Sequence, residues 1–436
     1  MRTIDLRGRT LTTAELLAAV PRAATARAEA LSVAAQVVAE VRERGEAALR
    51  AQAERFDGVV DHPIRVPRAH LDDAAAALDP SVRDALEEAI RRVRAASAAQ
   101  VPAASVTELA PGARVIQRWQ PVVRAGVYVP GGKAVYPSSV VMNVVSAQVA
   151  GVRDVALASP PQREHAGRVH PTILAAAVLL GVDEVYAMGG AGAIGALAHG
   201  VPSLGLEPVD VVTGPGNNFV AAAKRAVAGV VGTDAEAGAT EILVVADDTA
   251  DARYVAFDLV SQAEHDEQAG AVLVTPSPAL ADRVAAEVAQ VAAATRHRER
   301  VAAALGGPQS AIVLVDDLAA AEAFSNAYAP EHLELHIAGA ADAASRYVNA
   351  GAVFLGDFSP VSLGDYLAGS NHVLPTGGQA RYAAGLGAHT FLRPQQVVEY
   401  DRSALREVAA RIAALADAEA LPAHGEAVLA RFTPPS

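Results

Sequence analysis

The chain has 436 residues, too many for one compact core, so two or more domains are expected. Hydrophobic residues make up 52% and charged residues 19%, which excludes a disordered chain, and a net charge of −13 without basic clusters speaks against nucleic acid or an anionic membrane as partner. Cysteine is absent, which excludes disulfides, thiolate metal ligands and a cysteine nucleophile, so any metal must rest on His, carboxylate or amide groups.

The opening MRTIDLRGRT spreads its charges and has no apolar h-region, so no signal peptide is expected. No long apolar run follows that would span a membrane, and a cytoplasmic location is the default. From about Thr13 to Gln100, Ala, Leu and Val recur at helical spacing among Arg and Glu, interrupted by Gly45 and Phe56-Asp57-Gly58. Residues 62–67, HPIRVP, read as a short extended piece, and VIQRWQPVVRAGVYVPGG brings β-branched runs that end in a Pro-Gly-Gly turn. Strands and helices then alternate twice. The first series runs from VVMNVVSAQVAGV through DVALASP and DEVYAMGG to NFVAAAKRAVAG. The second runs from EILVVAD through GAVLVTPS and AIVLVDD to GAVFLGD. This pattern predicts an α/β protein with two open, mostly parallel Rossmann-like sheets flanked by helices, a helical N-terminal segment and a helical C-terminal tail that packs on a partner subunit or another domain.

Three glycine-rich turns follow predicted strands. Gly190, Gly192 and Gly195 spell a dinucleotide fingerprint, with Asp210 at the distance of a ribose-binding acid. The other reading is a closely packed strand-to-helix turn without phosphate contact. Gly214-Pro215-Gly216-Asn217 and Tyr128-Val129-Pro130-Gly131-Gly132 offer backbone N–H groups at helix starts, where a phosphate is favoured.

The informative polar residues lie later. Gln262 and His265, three apart on a predicted helix, share a face and suit metal ligation, although His265 beside Glu264 also fits a surface helix. Asp365 is expected in a short loop after the GAVFLGD strand, and His424 in the C-terminal segment, where it could simply be solvated. Pro330 reads as a helix start that puts Glu331 and His332 in a first turn at the carboxyl side of the sheet, an adjacent acid and imidazole suited to proton transfer. A charged first turn favouring the helix dipole is the plainer alternative. His336 is expected to face away from any site or to pack.

Taken together, Tyr128-Val-Pro-Gly-Gly132, Gly214-Pro-Gly-Asn217, Ser261-Gln-Ala-Glu-His265, Pro330-Glu-His-Leu-Glu334, Gly364-Asp-Tyr366 and Asn371-His-Val-Leu-Pro-Thr376 resemble the histidinol dehydrogenase family, in order and spacing over nearly the whole chain. The resemblance implies one zinc ion held by Gln262, His265, Asp365 and His424. It implies His332 as general base and Glu331 as the group that activates water in a two-step oxidation of L-histidinol to L-histidine with two NAD. It further implies cofactor contacts at Tyr128, Gly192 and Asn217, and substrate contacts at Thr240, Gln262, His265, His332, Asp365, His372, Glu419 and His424. The family is a homodimer whose tail crosses to the partner. On this reading the chain divides into an N-terminal extension (1–26), a discontinuous catalytic α/β domain (27–126 and 239–385), an inserted α/β domain with the cofactor turns (127–238) and a C-terminal helical tail (386–436). Three positions depart from the family's usual residues: Gly192 replaces a glutamine near the cofactor, Thr240 a serine, and Val361 an acidic residue. A related dehydrogenase with another substrate, or a non-catalytic metal-binding protein on the same fold, are the competing readings.

Overall fold

The runs EILVVA, GAVLVT and AIVL become the strands Glu241–Ala246, Gly270–Thr275 and Ala311–Leu314, each buried along its whole length. Unbroken apolar character of this kind belongs to parallel strands covered on both faces. The computed structural model describes residues 1–22, 27–131, 135–235 and 238–433; Gly132 of the first glycine-rich turn and the domain boundary expected at residue 26 lie outside them. The chain splits into a larger unit, Met1–Gln100 with Val122–Phe391, and a smaller one, Val101–Pro121 with Leu392–Ser436.

The larger unit holds two open sheets. In the first, six strands lie in the order Arg2–Asp5, Ala311–Leu314, Gly270–Thr275, Glu241–Ala246, His332–His336 and Ala352–Leu355, all parallel. In the second, five strands lie in the order Val185–Ala187, Asp154–Ser159, Arg124–Tyr128, Val211–Thr213 and Gly232–Thr233, again all parallel. The α/β reading with two parallel sheets flanked by helices therefore holds. Helices connect successive strands and start on local signals. Asp251 accepts from the Arg253 N–H to open the Ala252–Ala263 helix, and Asn217 accepts from the Phe219 and Val220 N–H groups to open Asn218–Val227. Within the segment expected to be helical, the helix Arg27–Arg44 packs on Gly190–His199 and Asn218–Val227 beside the five-stranded sheet. Its residues Ala34 and Val41 are buried there with Ile194 and Val220.

The smaller unit is an antiparallel sheet of Leu392–Tyr400, Ala113–Pro121 and Ser105–Ala110, with the helices Arg402–Ala418 and Pro422–Leu429 packed on each other. The tail beginning at residue 386 is thus not helical throughout. LRPQQVVEY is mostly exposed, so no alternation of polar and apolar residues betrays a strand there. No described helix is long and apolar enough to cross a membrane.

Candidate active site

The Pro330–Glu334 segment does not start a helix. The helix Leu318–Tyr328 ends there, Ala329 takes a left-handed conformation (φ 51°), and His332–His336 is a strand between Glu241–Ala246 and Ala352–Leu355. The alternation H-L-E-L-H fits a strand, and Pro330 marks the break after a helix rather than a beginning. Glu331 and His332 consequently lie at the amino edge of the six-stranded sheet, not at its carboxyl side. Thr240 directly precedes the neighbouring strand, and the Ala252–Ala263 helix runs back to the same edge with Gln262 in its last turn. Asp365 likewise sits on a helix, Val361–Tyr366, and not in a loop, because Pro360 opens a short turn of helix after the Ala352–Leu355 strand.

At this edge one hydrogen-bond chain links three of the expected site residues. Gln262 Nε2 donates to Thr240 Oγ1 at 2.6 Å, and Thr240 Oγ1 donates to Glu331 Oε2 at 2.5 Å. The Glu241 backbone N–H also donates to Glu331 Oε2, at 2.9 Å. The amide NH₂ of Gln262 is engaged by Thr240, and its buried Oε1 has no hydrogen-bond partner. Glu331 is buried, and burial pushes its carboxyl up to about 7 against the pull of His332, Thr240 and the Glu241 N–H. His332 Nδ1 lies 3.2 Å from the Glu241 carbonyl oxygen and 3.5 Å from Glu331 Oε2. A carbonyl only accepts, so Nδ1 carries the proton and Nε2 keeps its lone pair.

His265 and Asp365 approach each other, Nε2 to Oδ2, at 3.9 Å. Burial holds the imidazoles of His265 and His372 below the ordinary histidine range, favouring the neutral form that can ligate. His372 Nδ1 lies 2.9 Å from the Asp365 carbonyl oxygen, to which it donates, and Nε2 then accepts from Ser139 Oγ at 2.9 Å. Gln262, His265, Asp365, Thr240, Glu331, His332 and His372 therefore form one constellation. An orphaned amide oxygen, a neutral imidazole and a carboxylate make up an O/N donor set of the kind a zinc ion takes.

The glycine-rich turns lie at the carboxyl edge of the five-stranded sheet. Tyr128 ends its strand, is buried, and its hydroxyl accepts from the Gly190 N–H at 3.2 Å; burial raises that hydroxyl to about 12. Gly214 (φ 117°) leaves no room for a side chain, since a Cβ would stand 1.9 Å from the Tyr128 carbonyl oxygen. Its N–H donates to Asp234 Oδ2 at 2.8 Å and its carbonyl accepts from Lys224 Nζ, the partner of Asp234 in a buried ion pair. Asn217 is exposed at the helix start. The apparent fingerprint keeps its strand-to-helix turn but not its acid. Gly192 is buried within a helix, where a Cβ would meet Gln52 Oε1 at 1.8 Å, and Gly195 packs against Val38. Asp210 precedes its strand and accepts from the Val123 and Arg124 N–H groups, at the opposite end of the sheet from the turns.

Glu419 and His424 belong to the smaller unit, at the C-terminus of one helix and within the next, and both are exposed. His336 packs, the second of the two expectations for it. It is buried with Asp258 and Glu334, three groups whose ligand-type atoms lie within 4.8 Å of one another. The sequence reading missed Glu241, whose backbone orients Glu331 and His332, and Ser139, which holds His372. Glu241 could have been suspected, as a charged residue opening an otherwise apolar strand; Ser139 gives no such signal.

Two parallel sheets bearing an acid–imidazole pair beside a metal-type donor set define the chain as an enzyme of the α/β class, equipped for proton transfer. The histidinol dehydrogenase family model matches residues 20–432. The histidinol dehydrogenase of Leifsonia xyli subsp. xyli is 68% identical over 432 residues, covering 99% of either chain. That of Thermobifida fusca is 59% identical, over 98% of this chain and 97% of the relative. The crystal structure of histidinol dehydrogenase from Elizabethkingia anophelis superposes with a TM-score of 0.92 at 31% identity, covering 99% of this chain and 98% of that one. The chain belongs to the histidinol dehydrogenase family.

Proposed function

We propose that this enzyme oxidises L-histidinol through L-histidinaldehyde to L-histidine, with zinc and two molecules of NAD per turnover. The observation that carries the reading is the pairing of a buried, unpartnered Gln262 Oε1 with a free His332 Nε2 lone pair at one sheet edge. Gln262, His265 and Asp365 would hold zinc, together with His424 from the partner subunit's tail. When bound, zinc orients the imidazole and amine of the substrate and NAD accepts hydride.

The chain's own residues supply the proton chemistry. His332 Nε2 takes the alcohol proton as the carbon gives up hydride, and its Nδ1–H stays anchored on the Glu241 carbonyl. Ionised Glu331 then takes a proton from water as it adds to the aldehyde, with Thr240 and the Glu241 N–H holding the carboxylate in place. His332 acts again when the hydrated aldehyde loses the second hydride. Thr240, His372 and Glu419 would contact substrate, and the turns at Tyr128 and Asn217 would hold the dinucleotide. Buried Gly192 would line that region only through its backbone. The inserted segment 127–238 would act as the cofactor domain on the discontinuous catalytic domain, within a cytoplasmic homodimer.

The test is NAD reduction by L-histidinol with and without a chelator. Two NADH per histidinol, abolished by chelation and restored by zinc, is the expected result. No reduction by histidinol, or one NADH unaffected by chelation, overturns the reading.

A further inference from the structure

Glu334 stands in the middle of the His332–His336 strand, fully buried, between two parallel neighbours. Leu333 and Leu335 fill the core on one face of the sheet, so His332, Glu334 and His336 share the other face. A carboxyl group in such a place is costly unless it is fully partnered. Its partners come from separate elements. Oε1 accepts from the Val361 N–H at 2.8 Å, at the first residue of the helix that carries Asp365. Oε2 faces His336 Nε2 at 3.4 Å, and the carboxyl is hydrogen-bonded to Asp258. Asp258 lies one helical turn before Gln262 on the helix that leads to His265. His336 Nδ1 reaches Asp357 Oδ1 at 3.3 Å and closes the cluster. Among the described residues, His336 is the only cationic partner of these three carboxyl groups. Burial and then the Glu334 carboxylate push Asp258 up to about 8, so near neutrality Asp258 carries a proton and donates it to Glu334.

One buried side chain thus ties together the strand that begins at His332, directly after Glu331, the helix of Gln262 and the helix of Asp365. We propose that Glu334 is the positioning residue of the metal site: through Asp258 and the Val361 N–H it sets where Gln262, His265 and Asp365 stand relative to His332. The inference rests on the ligand set proposed above. A leucine would suit the burial better, and the carboxyl is kept for the geometry it imposes on two helices at once.

The experiment compares Glu334→Leu, Glu334→Gln and Asp258→Ala in the full-length protein, reading zinc affinity by competition with a chromogenic chelator and ligand geometry by the visible spectrum of the cobalt-substituted protein. Glu334→Gln keeps an acceptor for Val361 and should hold zinc within about threefold of the native protein with an unchanged cobalt spectrum. Glu334→Leu should lose at least about tenfold in zinc affinity, the usual effect of removing support behind metal ligands, and should shift the cobalt bands. Asp258→Ala breaks the tie to one helix together with the Asp258–His336 pair, leaves the Val361 contact of Glu334 in place, is expected to fold even where Glu334→Leu does not, and should weaken zinc severalfold. Lowered thermal stability with native zinc affinity and spectrum in Glu334→Leu, or in Asp258→Ala if the former does not fold, would make the role merely structural and overturn the proposal. A second equivalent of zinc in the native protein that vanishes in Glu334→Leu would overturn it in favour of a second metal site. A native protein that binds no zinc removes the ligand set itself, and the proposal falls with it.

Discussion

His332 and Glu241 are joined through a side-chain nitrogen and a backbone oxygen, Nδ1 to carbonyl at 3.2 Å, across two adjacent parallel strands. The contact fixes the tautomer of the imidazole, because only Nδ1–H can serve a carbonyl, and so it leaves Nε2 as the basic nitrogen. None of the donors proposed for zinc depends on it.

His332→Ala is therefore expected to keep its zinc and lose turnover by about 10²- to 10⁴-fold, the usual worth of a positioned general base. Metal analysis beside kcat checks this. Loss of zinc in the variant would count against His332 as base and for it as a ligand.

If Glu331 activates water, the reaction carries a pH signature. The Glu331 carboxyl titrates near 7, up from 4.5, chiefly because it is buried. Below pH 7 it is protonated and takes no proton from water, so oxidation of the aldehyde should fall as pH drops from 8 to 6, more steeply than oxidation of the alcohol. A raised folded-state pKa also means that the folded protein binds this proton more tightly than the unfolded one. The resulting stability is fully present below about pH 4.5 and is lost as pH rises through 7. Glu331→Gln, which cannot ionise, should then be more stable than the native enzyme at pH 8, by up to roughly 3 kcal/mol, and nearly equal to it at pH 5. Equal pH profiles for the two oxidation steps in the native enzyme would remove the water-activating role.

Much of this was legible in the residues. Continuous apolar runs gave the parallel strands, and Gln262 lies on the expected helix, but His265 does not share it: the helix ends at Ala263, and His265 stands in the bend just past its C-cap, Glu264. The edge of the sheet was not legible, because Pro330 opens helices and closes them with equal ease, and only the left-handed Ala329 shows which it does here. The spacing of Gly190, Gly192 and Gly195 was ambiguous for a related reason: it records close packing as readily as phosphate contact, and Gln52 and Val38 occupy the space that side chains at Gly192 and Gly195 would need. The exposed strand Leu392–Tyr400 hid because neither of its faces forms a core. The Asp258–Glu334–His336 cluster hid because Asp258 is far in sequence from Glu334 and His336 and meets them only when helix and strand pack.

Lys224 and Asp234 clamp the Gly214 turn from below, one on its carbonyl and the other on its N–H. Both side chains are only 2% exposed, so removing one strands the other as a buried charge. Lys224→Met should cost about 3–5 kcal/mol in urea unfolding, and adding Asp234→Asn should return part of it. If the turn holds the dinucleotide, Lys224→Met should also weaken NAD binding by about tenfold, measured by titration with the cofactor alone. Unchanged NAD affinity in a folded variant would move the cofactor away from this turn.

Whether the tail serves its own subunit or the partner can be decided by mixing two dead enzymes. His265→Ala removes a proposed ligand carried on the larger unit, and His424→Ala removes one carried on the smaller. If each site takes His424 from the neighbouring chain, a mixed dimer contains one site with both histidines mutated and one with both intact. Random exchange makes half the dimers mixed, and half of their sites are whole, so activity should return to about a quarter of the native value. If each chain uses its own His424, every site in the mixed dimer lacks one histidine and mixing restores nothing. The measurement is NADH formation after co-refolding equal amounts of the two variants, with each variant refolded alone as the control. Recovery near a quarter supports the crossed tail, and none despite proven exchange sinks it.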